Sequence, residues 1–237
     1  MAYNIYLFLM FIYIKMAEAL EPYKTGLEQV YEQINRFLVR WQKQFVPILL
    51  VVFGSVGTGS DWMGYENRQI RDELQANVPA KVTVDNYTQF APLAAVYVLD
   101  ACQMASRSTI GQQLAVTIVS VAIQETVVTT LKTTTHIQRP DHSAHNSFPS
   151  GHTTMAFVGA ELLSQEYARS CPWIAILGYV VAAATGFLRM YNNRHWLTDV
   201  VVGAGLGILI VRLAYWLCAY FVKRRMKSNR KSFSPVS

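Results

Sequence analysis

The 237 residues are 52% hydrophobic and only 15% charged, with a formal charge of +6, a composition that argues against disorder and for one domain or one compact membrane unit. Much of the positive charge lies in "KRRMKSNRK", Lys223 to Lys231, directly after an apolar run, where it marks a cytoplasmic membrane edge rather than a nucleic-acid surface. Cys102, Cys171 and Cys218 are far apart without metal-ligand spacing, so they read as packing residues and not as a disulfide framework.

The first fifteen residues, "MAYNIYLFLMFIYIK", hold an apolar core followed by Ala17-Glu18-Ala19 but no positive charge ahead of it. A signal peptide, an interfacial segment and a true start at Met16 are the readings this allows, and N-terminal sequencing separates them. Glu21–Lys43 spaces Leu27, Val30, Ile34, Phe37, Leu38 and Trp41 along one stripe, which predicts an amphipathic helix in the membrane interface. Apolar segments follow at Phe45–Gly59, Phe90–Ala105, Leu114–Leu131, Thr153–Leu163 with a polar extension to Tyr167, Trp173–Leu188 and Val200–Val222. The last suits a hydrocarbon core of ~30 Å; the shorter ones carry Gln112, Gln113, Glu125 and Glu161, which must face other helices. Between the first two, 60–87 is polar, with a short helix expected over Asn67–Gln75. Gly203 and Gly207, four apart, predict a close helix contact. The expected fold is all-α, a polytopic membrane bundle of about six apolar helices. Its parts are an N-terminal region (1–44), the bundle (45–222) and a basic cytoplasmic tail (223–237).

Three polar clusters stand at the ends of apolar segments. "KTTTHIQRP" places Lys132 and Arg139 after the third segment, "FPSGH" opens the fourth with Ser150, Gly151 and His152, and "RMYNNRHWLTD" joins the last two through Arg189, His195 and Asp199. Antiparallel neighbours would bring all three to one membrane face. The three cations define an anion site, since guanidinium forks match phosphate oxygens in pairs. Ser150 and Gly151 at a helix start add free backbone N–H groups. His195 and Asp199, four apart, are expected to share a helix face, the carboxylate holding one imidazole nitrogen and leaving the other nucleophilic. His136, His142 and His145 read as solvent-facing or substrate-facing loop residues rather than metal ligands, and Arg194 and Tyr191, beside His195, are candidates for contact with a substrate headgroup.

The pattern K-x6-RP, PSGH, R-x5-H-x3-D, as it stands from Lys132 to Asp199, resembles the signature of the type 2 phosphatidic acid phosphatase superfamily, which includes vanadium haloperoxidases and bacterial acid phosphatases. One position departs: many members have Ser before the third-cluster arginine, here Leu188. The resemblance implies that His195 attacks phosphorus to give a phosphohistidine, Asp199 orients it and His152 protonates the leaving oxygen. It implies further that Lys132, Arg139, Arg189, Ser150 and Gly151 bind the phosphate, with no metal and no cofactor. The expected activity is a metal-independent lipid phosphatase acting on lipid A, undecaprenyl diphosphate, phosphatidic acid or phosphatidylglycerophosphate. A vanadate-dependent haloperoxidase and a non-catalytic lipid-binding protein are the rivals. With the basic tail inside, the site faces outwards, the periplasm for a bacterial inner membrane. Oligomeric state is not legible.

Overall fold

A computed structural model describes residues 44–76 and 81–232; the N-terminal apolar stretch and the expected interfacial helix over 21–43 lie outside them. The chain divides into residues 1–45 and 46–237, and the bundle belongs to the second. Among the described residues the elements are α1 (Gln44–Thr58), α2 (Asp61–Ala76), α3 (Asp85–Thr88), α4 (Ala91–Ala101), α5 (Ile110–Thr135), α6 (Gly151–Tyr167), α7 (Pro172–Tyr191) and α8 (Leu197–Ser232). No strand occurs among them.

Local chemistry sets the boundaries. Gly59 and Ser60 separate α1 from α2, which turns away by 94° and starts on Asp61, an acid placed where a helix N-terminus favours one. A short helix was expected at 67–75; α2 is sixteen residues long. Thr109 and Gln112 form a capping box at the start of α5, and His136, at φ 49°, closes its C-terminus. Pro172 sits in the first turn of α7, where its missing N–H costs nothing. The six expected apolar segments appear as α1 and α4 to α8.

Length and apolarity let α5, α7 and the Leu197–Met226 part of α8 cross a membrane, or four spans if α1 and α2 form one bent span. The chain is therefore a helical membrane bundle. At 11 residues, α4 reaches only about 16 Å. The basic stretch from 223 continues the α8 helix to Ser232. Ile118, Val180 and Trp216 are largely exposed, as lipid-facing side chains require.

The centre of the bundle is α6, which packs against α4, α5, α7 and α8 and buries Ala156, Val158, Ala160, Leu162 and Leu163. Its contact with α8 is as close as the Gly203/Gly207 spacing predicts. A Cβ on Gly203 would stand 2.9 Å from the Ser150 carbonyl oxygen, and one on Gly207 2.6 Å from that of Thr154. Only glycine fits there, so the start of α6 is held against the start of α8 by backbone contact. Deeper in, Glu161 meets Arg212 Nε at 2.8 Å and the Tyr179 hydroxyl, and Glu166 accepts from the Tyr215 hydroxyl and the Ser108 N–H. Buried carboxylates are tolerated in a bundle when paired in this way.

Candidate active site

Four helix ends build the site. Lys132 lies in the last turn of α5, His152 in the first turn of α6, Arg189 in the last turn of α7 and Asp199 in the first turn of α8. The α6 and α8 starts are joined directly, because the Ser150 N–H donates to the Asp199 carbonyl at 3.1 Å. Ser150 is the N-cap of α6 and its hydroxyl accepts the Thr153 N–H at 3.4 Å. An added Cβ on Gly151 would lie 4.0 Å from Lys132 Cε, which puts the helix N-terminus beside that ammonium. All eight residues singled out in the sequence are thus at one end of the bundle.

The geometry of the His195–Asp199 pair differs from the expectation in one respect. His195 precedes α8 rather than sitting on its face. Asp199, third residue of the helix, instead reaches back to accept the Trp196 N–H at 2.9 Å, the reciprocal half of an N-terminal capping arrangement. The same oxygen accepts from the Ser147 hydroxyl and stands 3.5 Å from His195 Nδ1. Both His195 and Asp199 are buried, and His195 Nδ1 and Asp199 Oδ1 have no hydrogen-bond partner. A separation of 3.5 Å is long for a hydrogen bond, and catalytic contacts commonly shorten when substrate binds. Burial above all lowers the His195 pKa to about 4, against the pull of Asp199. The imidazole is neutral at pH 7.

Lys132 and Arg139 are held by neutral groups, whereas Arg189 is paired with a carboxylate. Lys132 Nζ donates to the Asn146 carbonyl at 2.6 Å, and Arg139 Nε to the Asn146 side chain at 2.9 Å. Burial, then the neighbouring guanidiniums of Arg189 and Arg194, pulls the Arg139 pKa below its ordinary value. Like charges crowded together in this way gain from an anion placed among them. Arg189 is buried, with Nη1 on the Asp85 carboxylate and Nε unpartnered. His152 Nε2 lies 3.1 Å from Asn86 Oδ1.

Four contributors escaped the sequence reading. Asn146 and Ser147 stand beside the PSGH cluster, and their polar side chains next to Lys132 and Asp199 were the available signal. Asp85 and Asn86 had none, lying in a polar stretch far away in sequence. Arg194 does not face the anion site alone: it pairs with Asp141 at 3.1 Å, tying the 136–150 loop to the α7–α8 connection. Hydrogen bonding to Ser143 and the Arg194 charge together hold the Asp141 pKa below its usual value, against its burial. Among the described residues no three His, Cys, Asp or Glu side chains cluster as a metal site would.

A cleft of about 350 Å³ opens from this end of the bundle. Lys132, Gly151 and His152 line it together with Val121, Val128, Met155, Phe90, Gln124 and Glu125. From Lys132 to Val121 the wall follows α5 for about 16 Å.

Residues 113–223 match the family model described as the PAP2 superfamily. A lipid A 1-phosphatase of Porphyromonas gingivalis is 40% identical over 135 residues, 56% of this chain and 30% of that protein. A phosphatidylglycerophosphatase B of Bacillus subtilis is 31% identical over 84 residues, 30% of this chain and 41% of that protein. The matched stretches thus span less than half the length of these curated relatives. The crystal structure of a transmembrane PAP2-type phosphatidylglycerolphosphate phosphatase from Bacillus subtilis superposes with a TM-score of 0.53 at 19% identity, covering 74% of this chain and 97% of that one. That likeness is one of fold, a membrane helical bundle.

Proposed function

We propose, from the match of residues 113–223 to the PAP2 superfamily model, that the chain is a metal-independent phosphatase of membrane lipids. The observation that carries the reading is the cleft, which is lined by Lys132, Gly151 and His152 together with apolar side chains of α5 and α6. A phosphate beside Lys132 and His152 would leave its lipid portion room against those apolar side chains. The names of the curated relatives, a lipid A 1-phosphatase and a phosphatidylglycerophosphatase B, support a lipid phosphate as substrate. Lipid A and isoprenyl diphosphates lead the candidates, with phosphatidic acid and phosphatidylglycerophosphate behind them.

The chain's own groups divide the chemistry as follows. Lys132, Arg139, Arg189 and the N–H groups of Gly151 and His152, which follow the Ser150 cap, bind the phosphate oxygens and stabilise the charge of the transferring phosphoryl group. Asp199 holds His195 Nδ1, so Nε2 attacks phosphorus; the N–P bond forms as the P–O bond to the lipid breaks, and His152 supplies the proton to the departing oxygen. Water then cleaves the phosphohistidine to free phosphate and regenerates His195. Purified protein in detergent is expected to release phosphate from one or more of the four lipids at an undiminished rate in EDTA. A rate abolished by EDTA and restored by a divalent ion would overturn the metal-free mechanism, and no release from any of the four would remove the lipid phosphatase reading.

The same reading puts the site on the periplasmic side of a bacterial inner membrane. Lys223, Arg224 and Arg225 are exposed near the opposite end of α8 from Asp199, and basic residues favour the cytoplasm. In a background lacking Cys102, Cys171 and Cys218, a Ser143→Cys protein in intact spheroplasts is expected to react with an impermeant maleimide. An Arg225→Cys protein is expected to react only after lysis; the opposite pattern would invert the topology.

A further inference from the structure

The short helix α3 lies upstream of the residues that match the family model, yet it touches two groups of the site. Asp85 is 1% exposed and takes Arg189 Nη1 at 2.5 Å. Asn86 Oδ1 stands 3.1 Å from His152 Nε2. The segment is fixed where it is: the Val82 N–H and carbonyl both pair with the Asn192 side chain, at 2.9 and 2.6 Å, and the Thr88 hydroxyl accepts from Thr185 at 2.9 Å. Sequence separations of 66 to 110 residues mean that only the completed bundle makes these contacts.

We propose that Asp85 and Asn86 are positioning residues, Asp85 fixing the Arg189 fork for the phosphate oxygens and Asn86 holding His152 in place for the leaving oxygen. A buried carboxylate beside an anion site opposes substrate by repulsion and costs desolvation. Its benefit must be sought in what it does to Arg189. With Nη1 anchored on Asp85, the buried Nε is left as an unpartnered donor, and a guanidinium held in one plane meets two phosphate oxygens at a smaller entropic cost than a free one. An amide oxygen only accepts, so His152 Nε2 carries its hydrogen towards Asn86 and the other ring nitrogen serves the leaving oxygen. Burial first, and then the Arg189 charge, lower the His152 pKa to about 4; both nitrogens bear protons in the imidazolium, so this contact works against that lowering.

The inference rests on the phosphatase reading, and two measurements on the full chain in detergent separate the fates of the two. In phosphate release from phosphatidic acid micelles, Asn86→Ala is expected to lower kcat about tenfold with KM changed less than about twofold. Its effect should vanish in a His152→Ala background, as a residue acting through His152 requires. Asn86→Asp, which can only accept, should recover most of the loss. An equal loss in the His152→Ala background, a loss confined to KM, or no recovery with aspartate would each overturn the role of Asn86. In the second measurement, orthovanadate binding is read from the rise in melting temperature. Asp85→Asn is expected to weaken it about tenfold, and Asp85→Glu, which displaces the carboxylate by one methylene, carries the comparison if the amide variant does not fold. Unchanged or tighter vanadate binding would overturn the role of Asp85. A wild-type protein that binds vanadate and hydrolyses none of the four candidate lipids would instead remove the phosphatase reading while leaving the Asp85 comparison decisive.

Discussion

His195→Ala is expected to reduce phosphate release by about 10⁴-fold or more, because it deletes the atom that receives the phosphoryl group. Acid-labile, base-stable label from a ³²P-lipid should appear on the wild-type protein in a rapid quench and be absent from the variant. Labelling that persists in His195→Ala would move the nucleophile elsewhere. The same residue sets an acid limit. Burial holds its pKa near 4, so the nucleophilic neutral form dominates above that value and is lost as pH falls through it. After correction for the substrate's own ionisation, kcat/KM should therefore decline below about pH 4, whereas a decline centred at the ordinary histidine value of about 6.5 would contradict the role of burial.

Asp199 is expected to show the other large effect, and two substitutions divide its roles. Its Oδ2 accepts from the Trp196 N–H and the Ser147 hydroxyl and faces His195. Asp199→Ala removes all three, leaving buried donors unpaired at a cost of about 1–3 kcal/mol of stability, with turnover lost as well. Asp199→Asn keeps an acceptor oxygen, so the cap on Trp196 survives and the melting temperature should stay close to wild type. Turnover should still fall about 10³–10⁴-fold, the scale seen when a carboxylate that orients a catalytic histidine becomes an amide. An Asp199→Asn protein with near-normal turnover would show that the carboxylate supports only the helix start.

The chemistry of the site was legible because its residues announce themselves by type. Lys132, Arg139 and Arg189 at segment ends, and two histidines near Ser150 and Asp199, needed only the antiparallel order of the helices to meet. The detail of His195 was not legible: a spacing of four suggests a shared helix face, but Asp199 turns back to satisfy the Trp196 N–H, and the helix starts after the histidine. Asp85 and Asn86 were invisible for a different reason. "DNYT" is ordinary turn chemistry, and its partners Arg189 and His152 are fixed by tertiary packing rather than by any local period. In the fold, apolar runs located six helices. They gave no sign that the Gly59–Ser60 break turns α2 by 94°, since a polar helix that caps a bundle end resembles a loop in composition.

The ion pair inside the bundle bears on how the protein is made. Glu161 and Glu166 put two carboxylates on a helix of 17 residues, Glu166 at its end, and a carboxylate costs about 2.5–3.5 kcal/mol at the centre of an isolated membrane helix. Their partners Arg212 and Tyr215 are on α8, the last of the described helices to leave the ribosome. Burial of the α6 carboxylates thus depends on α8, the same helix whose first turn brings Asp199 to Ser147. Until α8 packs, α6 carries two carboxylates without these partners and the proposed catalytic centre lacks its aspartate.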